Sequence, residues 1–391
     1  MKCSVRRWAV LMSCTLALGG AAPAAAQTEY TADGVPTGLE EEIRWRVNRG
    51  RFDSVSENQY RGTNYADVAA TASPLAPNQS LTLASRHHSE DMARNNTFQH
   101  ATVTGSAYYD PIAQPTPWDR MTAEGYVRTS AAENISAGYT SAEAAYVGWW
   151  NSEDHRHNMY NTALREIGNG YYYWSVSTYH RYYTMDLGSS GANYFFTDTL
   201  FLDANVNGVY DEAEAVSGVA IRLLVGGAPA SYYDVSSAAG SFAIPIGAIS
   251  PGSTVQVVFS NTTATTLALT IPVDYWTNRA LTLGPGQSSV WGTFTTGATW
   301  AERCNVGLRN VTPLPPIAAP ILNLSRVGTD MLLSWASETG LQYRLQWAAN
   351  FQVWRNLTVN PLPGTGTELF HRDIGAAALD LRFYRLLVTR P

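Results

Sequence analysis

Lysine and cysteine are both scarce in this chain. Lys2 is the only lysine among the 391 residues, and the cysteines are Cys3, Cys14 and Cys304. After residue 18 no run approaches the ~20 consecutive apolar residues that a membrane-spanning helix needs. The composition therefore argues against a transmembrane anchor and against a framework of several disulfides.

The N-terminus has the pattern of a secretory signal peptide over residues 1–26. A basic segment precedes an apolar run at 8–18, and three alanines at 24–26 offer a small-residue cleavage site before Gln27. Cleavage there removes the lysine and two cysteines, so that Cys304 stands alone. We expect a secreted protein without an intrachain disulfide, Schiff-base catalysis or a lysine isopeptide bond.

The net charge of the chain is small and negative. The formal net charge is −6 at pH 7, and loss of the three basic signal residues makes it −9. Mild acidity disfavours a nucleic-acid partner, because such binding depends on neutralising phosphates with basic side chains. The 12 Trp and 22 Tyr supply enough apolar surface for two or three cores.

Residues 133–155 combine polar groups with a helical pattern. Glu133 lies in a predicted loop, Ser141 can cap a helix, and a polar corner at 151–154 precedes His155. Between them four residues share the i, i+3, i+4, i+7 spacing of one helix face: Ala142, Ala145, Tyr146 and Trp149. The pattern predicts a packed helix bracketed by a carboxylate and an imidazole.

The neighbouring sequence predicts further elements. Helices are expected over 37–49 and 81–95, with a long polar surface connection at 50–80. Aromatic-rich strands are expected over 166–174 and 181–187. Helices would then lie on both sides of a small sheet.

Together these pieces resemble the CAP superfamily (the SCP/PR-1-like domain) in its bacterial secreted form, over about residues 39–188. The resemblance is carried by ordered segments: ASRHHSEDMARNNTFQH (84–100), WDRMTAEGY (118–126), the 133–155 stretch, HRHNMYNTALREIGNGYYYW (155–174) and YYTMDLG (182–188). It implies an α-β-α sandwich with a central cleft lined by two His and two Glu. His100, Glu133 and His155 fall on three of those four positions.

The fourth cleft position depends on which tryptophan anchors the motif. It is Ser152 if Trp149 is the anchor and Glu153 if Trp150 is, and we favour Ser152. His88 lies on the apolar stripe of its helix and is expected to be a core histidine. His87 and His157 are expected to face solvent.

The sequence allows two interpretations of the residues in this cleft. His100, His155 and Glu133 could bind Zn²⁺ and leave a position for water. Alternatively, the same groups form a buried hydrogen-bond network that pins the helix, because buried charges must be paired.

The sequence after a flexible break at 188–191 is all β. Alternating apolar residues at 219–225 and 267–273 predict an antiparallel sandwich similar to Cna-B/SdrD-B repeats. A proline-rich linker at 312–320 leads to alternating strands of a fibronectin-III- or immunoglobulin-like module. The expected fold class is α+β, an α-β-α CAP domain followed by two all-β sandwiches. The expected domain bounds are 27–188, 192–311 and 321–391.

A second constellation fits the calcium-loop pattern D-x-[DN]-x-[DN]-G-x5-E at every position. The candidate ligands are Asp203, Asn205, Asn207, the Val209 carbonyl, Asp211 and Glu214, with Gly208 at the tight turn. Ca²⁺ needs six to eight oxygen ligands, and this loop supplies them. Because the predicted flanks are strands, we expect a structural Ca²⁺ site rather than a paired EF-hand.

These observations support three hypotheses for function. The first is an extracellular binding protein that holds a lipid, a small molecule or an envelope polymer such as a glycan. The second is a metal-dependent hydrolase in which His100 and His155 hold Zn²⁺ and Glu133 acts as general base. The third is a surface adhesin whose CAP cleft is inert and whose C-terminal modules bind the partner.

Overall fold

The computed structural model describes residues 32–191, 194–299, 302, 306–314, 317, 320–349, 353–378 and 382–389. The predicted signal peptide at 1–26, Cys304 and part of the proline-rich linker lie outside the described residues.

The helices of the described residues all lie in the N-terminal half of the chain. They are α1 Gly38–Phe52, α2 Ser54–Arg61, α3 Gln79–Arg94, α4 Pro117–Ala123, α5 Ala142–Trp150 and α6 Glu153–Met159. Short 3₁₀ turns follow at Glu212–Glu214, Leu308–Asn310 and Ala376–Ala378.

The first four strands share the N-terminal half with these helices: β1 Ala76–Pro77, β2 Ser130–Ala137, β3 Glu166–Tyr173 and β4 Arg181–Ser189. The next nine are β5 Phe195–Thr199, β6 Val219–Val225, β7 Ala228–Val235, β8 Ser241–Pro245, β9 Thr254–Asn261, β10 Leu267–Asp274, β11 Thr277–Leu283, β12 Ser288–Thr295 and β13 Thr312–Pro313. The last seven are β14 Asn323–Val327, β15 Asp330–Ala336, β16 Gln342–Ala348, β17 Arg355–Asn356, β18 Leu362–Pro363, β19 Glu368–Asp373 and β20 Phe383–Thr389.

Helix α1 begins with a capping box. Glu40 N–H donates to the Thr37 hydroxyl (3.4 Å), and Thr37 N–H donates back to Glu40 Oε2 (2.8 Å). The helix therefore starts where the sequence predicts, and it continues three residues further, to Phe52. The predicted helix at 81–95 is likewise confirmed as α3, and the predicted central helix is α5.

The N-terminal sheet has the order β1-β3-β4-β2, and helices cover both of its faces. Ile43 of α1 and Tyr146 of α5 pack with Ile167 and Met185 on one face. Helix α3 lies on the other face, so close to β3 that a Cβ at Gly168 would overlap the α3 backbone at Leu81 and Thr82. This close approach fixes α3, and with it His88, against the sheet.

Three sequence predictions for this half were wrong. Residues 50–80 are not a polar surface connection, because they contain α2 and β1 and bury Leu75. Glu133 lies within β2 rather than in a loop, because β2 pairs with β4 along its whole length. Residues 188–191 are not a flexible break, because strand β4 continues through Ser189 and the Ser190 hydroxyl donates to the Glu166 carboxylate (2.7 Å).

Beyond residue 194 the chain is β-rich and forms several sheets. A five-stranded sheet has the order β13-β12-β9-β6-β7, and two-stranded pairs are formed by β10-β11 and β5-β8. Residues of these strands share one apolar core, including Phe196, Ile221, Phe259, Ile271 and Trp291. The C-terminal strands form two further sheets with a separate core around Trp335. The β strands agree with the predicted alternation, whereas the division into two sandwiches and the domain bounds stay predictions.

The N-terminal helices pack directly on the first β-rich region. Arg44 of α1 is buried and donates to the Asp198 carbonyl (3.0 Å) and the Thr199 hydroxyl (2.9 Å) of β5. Trp45, one position along, lies 5.9 Å from Tyr275 between ring centroids. The predicted spacer is therefore fastened to the helical half by a buried polar contact and an aromatic one.

Candidate functional site

Glu133 is the centre of a buried network beneath the predicted cleft. His100 Nδ1–H donates to its Oε1 (2.8 Å), and Arg120 Nη2 donates to its Oε2 (2.7 Å). Burial raises the pKa of Glu133, but His88, His100 and Arg120 together outweigh it and lower that pKa below its usual range. Glu133 is thus an ionised carboxylate with both oxygens engaged.

Arg120 ties this carboxylate to the loop that carries His100. Its Nη1 donates to the His100 carbonyl (3.0 Å) and to the Thr102 hydroxyl (3.1 Å). The guanidinium is fully buried, so its fork holds Glu133 and His100 in one arrangement. The side chain of His100 is nevertheless 53% exposed, so a rigidly held imidazole remains open to solvent.

His155 approaches the same place from α6. Asn134 of β2 donates to the His155 carbonyl (3.1 Å), and Asn158 donates to the Asn134 side-chain oxygen (2.8 Å). Partial burial lowers the pKa of the His155 imidazole, and the nearby His100 lowers it further. Its Nδ1 is buried and has no hydrogen-bond partner among the described residues.

His88 is buried as predicted, and its Nε2–H donates to the Gln99 carbonyl (3.0 Å). Burial lowers the pKa of its imidazole to about 4, so the ring is neutral at pH 7. His88 is therefore a core histidine, as the sequence predicts.

Arg120 and Asp186 belong to the network but were missed from the sequence. Asp186 of β4 is the register partner of Glu133 and is fully buried. Burial, reinforced by the Glu133 charge, raises its pKa well above the usual range. The sequence offered one signal for these two residues. Arg120 lies within WDRM and Asp186 within YYTMDLG, and a charged residue that becomes buried in such a motif needs a partner of opposite charge or a hydrogen bond.

Neither candidate for the fourth cleft position joins this network. Ser152 is half-buried and precedes α6 without a side-chain cap hydrogen bond. Glu153 is exposed and lies with Asp67 and His157, the one group of three possible metal ligands within 4.8 Å of one another among the described residues. Asp67 already accepts a hydrogen bond from Arg156 (2.8 Å), so the guanidinium group supplies positive charge to this cluster.

The expectation that His87 faces solvent was wrong, whereas His157 is exposed as predicted. The His87 ring is stacked on Tyr108, with centroids 3.8 Å apart, and its Nδ1 lies 2.8 Å from Glu124 Oε1. Glu124 also accepts from the Tyr109 hydroxyl (2.7 Å). This group is half-buried by its own aromatic neighbours.

The predicted calcium loop folds back on its own side-chain oxygens. Asp203 accepts from Asn207 N–H and Gly208 N–H (both 3.0 Å), and Asn205 Oδ1 accepts from Asn207 N–H (3.0 Å). Gly208 adopts the left-handed conformation at φ 74°, as the tight turn requires. The loop is therefore a tight turn that the side chains of Asp203 and Asn205 hold in place.

Asp211 and Glu214 hold the far end of the loop. Asp211 Oδ2 accepts from the side-chain amides of Asn205 (2.6 Å) and Asn207 (2.8 Å). Glu214 Oε1 accepts from Ala204 N–H (2.9 Å), whereas its Oε2 is buried and without a partner among the described residues. A hard divalent cation would satisfy this unpaired carboxylate oxygen.

The N-terminal half is a CAP domain. Residues 47–187 match the model of the cysteine-rich secretory protein family, CAP, and this range contains His100, Glu133 and His155. Two proteins of Bacillus subtilis (strain 168) are similar in sequence. YkwD, described as uncharacterized, is 34% identical over 98 residues, which is 25% of this chain and 35% of that protein. YlbC, an uncharacterized membrane protein, is 31% identical over 122 residues, which is 31% of this chain and 32% of that protein.

The chain spans about a third of the length of these two curated relatives. Among solved structures, an extracellular SCP-domain protein of Bacillus anthracis is 26% identical and covers 39% of this chain and 40% of its own, with a TM-score of 0.28. An outer surface protein of Borrelia burgdorferi is 14% identical over 38% of this chain and 89% of its own, with a TM-score of 0.27. Within the described part of the chain, no helix has the length and apolar character to cross a bilayer.

Proposed function

We propose that this protein is a secreted binding protein whose CAP domain holds an extracellular ligand at the imidazoles of His100 and His155. The observation that carries the proposal is the His100–Glu133–Arg120 network. A buried ion pair fixes a half-exposed imidazole and leaves its outer edge for a ligand. Such pre-organised polar groups fix the orientation of a ligand in a cleft.

Catalysis by Glu133 finds less support than binding. A general base must be within hydrogen-bond reach of the proton that it removes. Both oxygens of Glu133 already accept hydrogen bonds, from His100 and from Arg120, and its side chain is only 2% exposed. The lowered pKa also makes this carboxylate a weak base. The group therefore suits positioning better than proton transfer.

The ligand class is tested with the full chain and two probes, purified peptidoglycan and vesicles of phosphatidylglycerol. Wild type is compared with His100→Ala and His155→Ala, and with His157→Ala as an exposed histidine outside the network. Binding of one probe that is lost only in the two cleft variants supports the proposal. Equal binding by all four proteins assigns the partner to the β-rich region, as in an adhesin. No binding to either probe removes these two ligand classes.

A Zn²⁺ site is the second candidate. Two observations support it. His155 has a buried nitrogen without a partner among the described residues, and it lies near enough to His100 for that imidazole to lower the His155 pKa. Neutral imidazoles are common Zn²⁺ ligands, and a bound Zn²⁺ would supply an activated water. His100 and His155 would hold the ion, whereas Glu133 fits as the residue that orients His100.

Calorimetric titration of the full chain with Zn²⁺, in saturating Ca²⁺, tests this candidate. The full chain is needed because α1 is buried against β5 and a CAP fragment would expose Trp45. One-site binding lost in His100→Ala and His155→Ala would establish the cleft as the Zn²⁺ site. Heat lost in His157→Ala instead would place the ion at the Asp67–Glu153–His157 cluster.

We also propose that the loop at 203–214 binds one Ca²⁺. The ligands would be Asp203, Asn205, Asn207, the Val209 carbonyl, Asp211 and Glu214, as the motif predicts. The support is the complete motif, the contacts of Asp211 with the Asn205 and Asn207 side chains, and the unpaired buried oxygen of Glu214. Titration with Ca²⁺ should give one site in the wild type and none in Asp203→Ala. Full binding by that variant would exclude the loop.

A further inference from the structure

The proposed calcium loop is part of the contact between the CAP domain and the β-rich region. Tyr210, at its centre, is buried and contacts Phe201 edge to face, with centroids 5.7 Å apart. Its hydroxyl donates to the Ala239 carbonyl (3.1 Å). Tyr210 and Val209 belong to one apolar cluster with Trp45 and Phe52 of α1. Any change of loop conformation therefore moves a side chain that covers α1.

The loop backbone also lies against the first turn of α1. A Cβ at Gly38 would come within 2.6 Å of the Glu212 carbonyl oxygen and of its Cγ. Glu212 follows the proposed ligand Asp211 directly and precedes Glu214 by two residues. Gly38 therefore packs directly against the loop at Glu212, and a side chain at position 38 would clash with it.

Charge opposes this contact when no cation is present. Glu42 of α1 is largely buried, and the carboxylates of Asp211 and Glu212 lie near enough to raise its pKa in addition to the larger effect of burial. Arg46 offsets part of this charge through an ion pair with Glu42 (2.6 Å). A divalent cation bound by Asp211 and Glu214 would cancel repulsion across the contact.

We propose that Ca²⁺ at this loop fastens the β-rich region to helix α1, so that calcium controls the stability of the CAP domain as well as that of the loop. The inference rests on the proposed Ca²⁺ site and goes beyond it. A merely local site would order residues 203–214 alone. Here the ordered loop presents Tyr210 and Glu212 to α1, and the effect of the ion extends into the domain that carries the His/Glu cleft.

The test is hydrogen exchange of the full chain, with Ca²⁺ and with chelator, followed at peptides from α1 (Gly38–Phe52). In the wild type we expect Ca²⁺ to slow exchange in α1 at least tenfold and to raise the melting temperature. Peptides from β15 (Asp330–Ala336), in the C-terminal sheets, serve as the internal reference and should change little. Calorimetry on the same sample measures Ca²⁺ binding independently.

Gly38→Ala is the variant that separates binding from coupling. It keeps every Ca²⁺ ligand and removes a glycine from a helix, which by itself favours the helix. We expect it to bind Ca²⁺ with unchanged stoichiometry but to lose the Ca²⁺-dependent protection of α1. Asp203→Ala should lose both binding and protection.

Each outcome has one meaning. Ca²⁺ binding by the wild type without a change of exchange in α1 overturns the coupling and leaves the Ca²⁺ site standing. Undiminished Ca²⁺-dependent protection in Gly38→Ala also overturns it, because the loop contact would then carry no effect. Absence of Ca²⁺ binding in the wild type removes the site and the coupling together.

Discussion

Glu133 of β2 and Asp186 of β4 are register partners on adjacent strands, and both carboxyl groups are buried. Two carboxylates in such a place cannot both be ionised without a large cost. Their environments shift the two pKa values in opposite directions. Arg120 and His100 lower the pKa of Glu133, whereas burial and the Glu133 charge raise the pKa of Asp186. One carboxyl group is therefore an anion with two partners and the other is a neutral acid.

This difference predicts opposite responses to amide substitution. Asp186→Asn replaces a neutral acid by a neutral amide and should change the free energy of unfolding by less than about 1 kcal/mol at pH 7. Glu133→Gln removes the anion that Arg120 needs and should cost roughly 3 kcal/mol, as for a broken buried ion pair. Urea unfolding of both variants at pH 7 measures the two values. Equal costs would mean that the two carboxyl groups share one charge state.

Arg120 should matter for stability and for the position of His100. Arg120→Ala leaves the Glu133 carboxylate buried with one partner, at a cost of roughly 3–5 kcal/mol. Arg120→Lys keeps the charge but cannot donate to Glu133, Thr102 and the His100 carbonyl at once. We expect it to recover part of the stability without restoring ligand binding at His100. Binding at the wild-type level in Arg120→Lys would show that the fork geometry is not needed.

The periodic elements of the CAP domain could be predicted from the sequence, because their burial patterns are local. Helices α1, α3 and α5 and strands β3 and β4 follow directly from apolar spacing and caps. Strand β2 could not be predicted this way, because SAAENISA contains few strand-forming residues and gains its conformation from pairing with β4. Helix α2 has no buried apolar face, because its Val55 and Tyr60 are exposed, and the buried pair of Arg49 with Glu57 (2.8 Å) anchors it.

The candidate site could be predicted only in part for the same reason. His100, Glu133 and His155 were identified from motif positions, and the structure joins His100 directly to Glu133. Arg120 and Asp186 reach Glu133 through tertiary contacts and strand register, which no local pattern encodes. The prediction of a calcium loop needs no such information, because its candidate ligands lie within twelve consecutive residues.

The close approach of α3 to β3 predicts a strong effect of Gly168→Ala. The added Cβ would overlap the backbone of Leu81 and Thr82, so α3 must move away from the sheet. Overpacking of this kind costs roughly 1–3 kcal/mol or more, because backbone has to shift. Gly148→Ala in α5 is the matched control, since the atoms nearest to its Cβ belong to the side chain of Tyr139, which is 37% exposed and can turn aside. Thermal unfolding should show a clear loss for Gly168→Ala and little change for Gly148→Ala. Similar values for the two would contradict the role of backbone contact.

The contact between α1 and β5 should make stability depend on pH through Asp198. Burial, only partly offset by Thr199 N–H and Arg44, raises the pKa of its carboxyl group to about 7, and Oδ2 has no hydrogen-bond partner among the described residues. Between about pH 4 and pH 7 the unfolded chain has lost this proton and the folded chain keeps it. The folded state binds more protons in that window, so stability falls as pH rises and levels off above about pH 7. Asp198→Asn removes the titration and should gain a few kcal/mol on the wild type between pH 4.5 and pH 7.5, at about 1.4 kcal/mol per pKa unit. Urea unfolding of both proteins across this range gives the difference, and a difference that is constant with pH would show that Asp198 is ionised in both states.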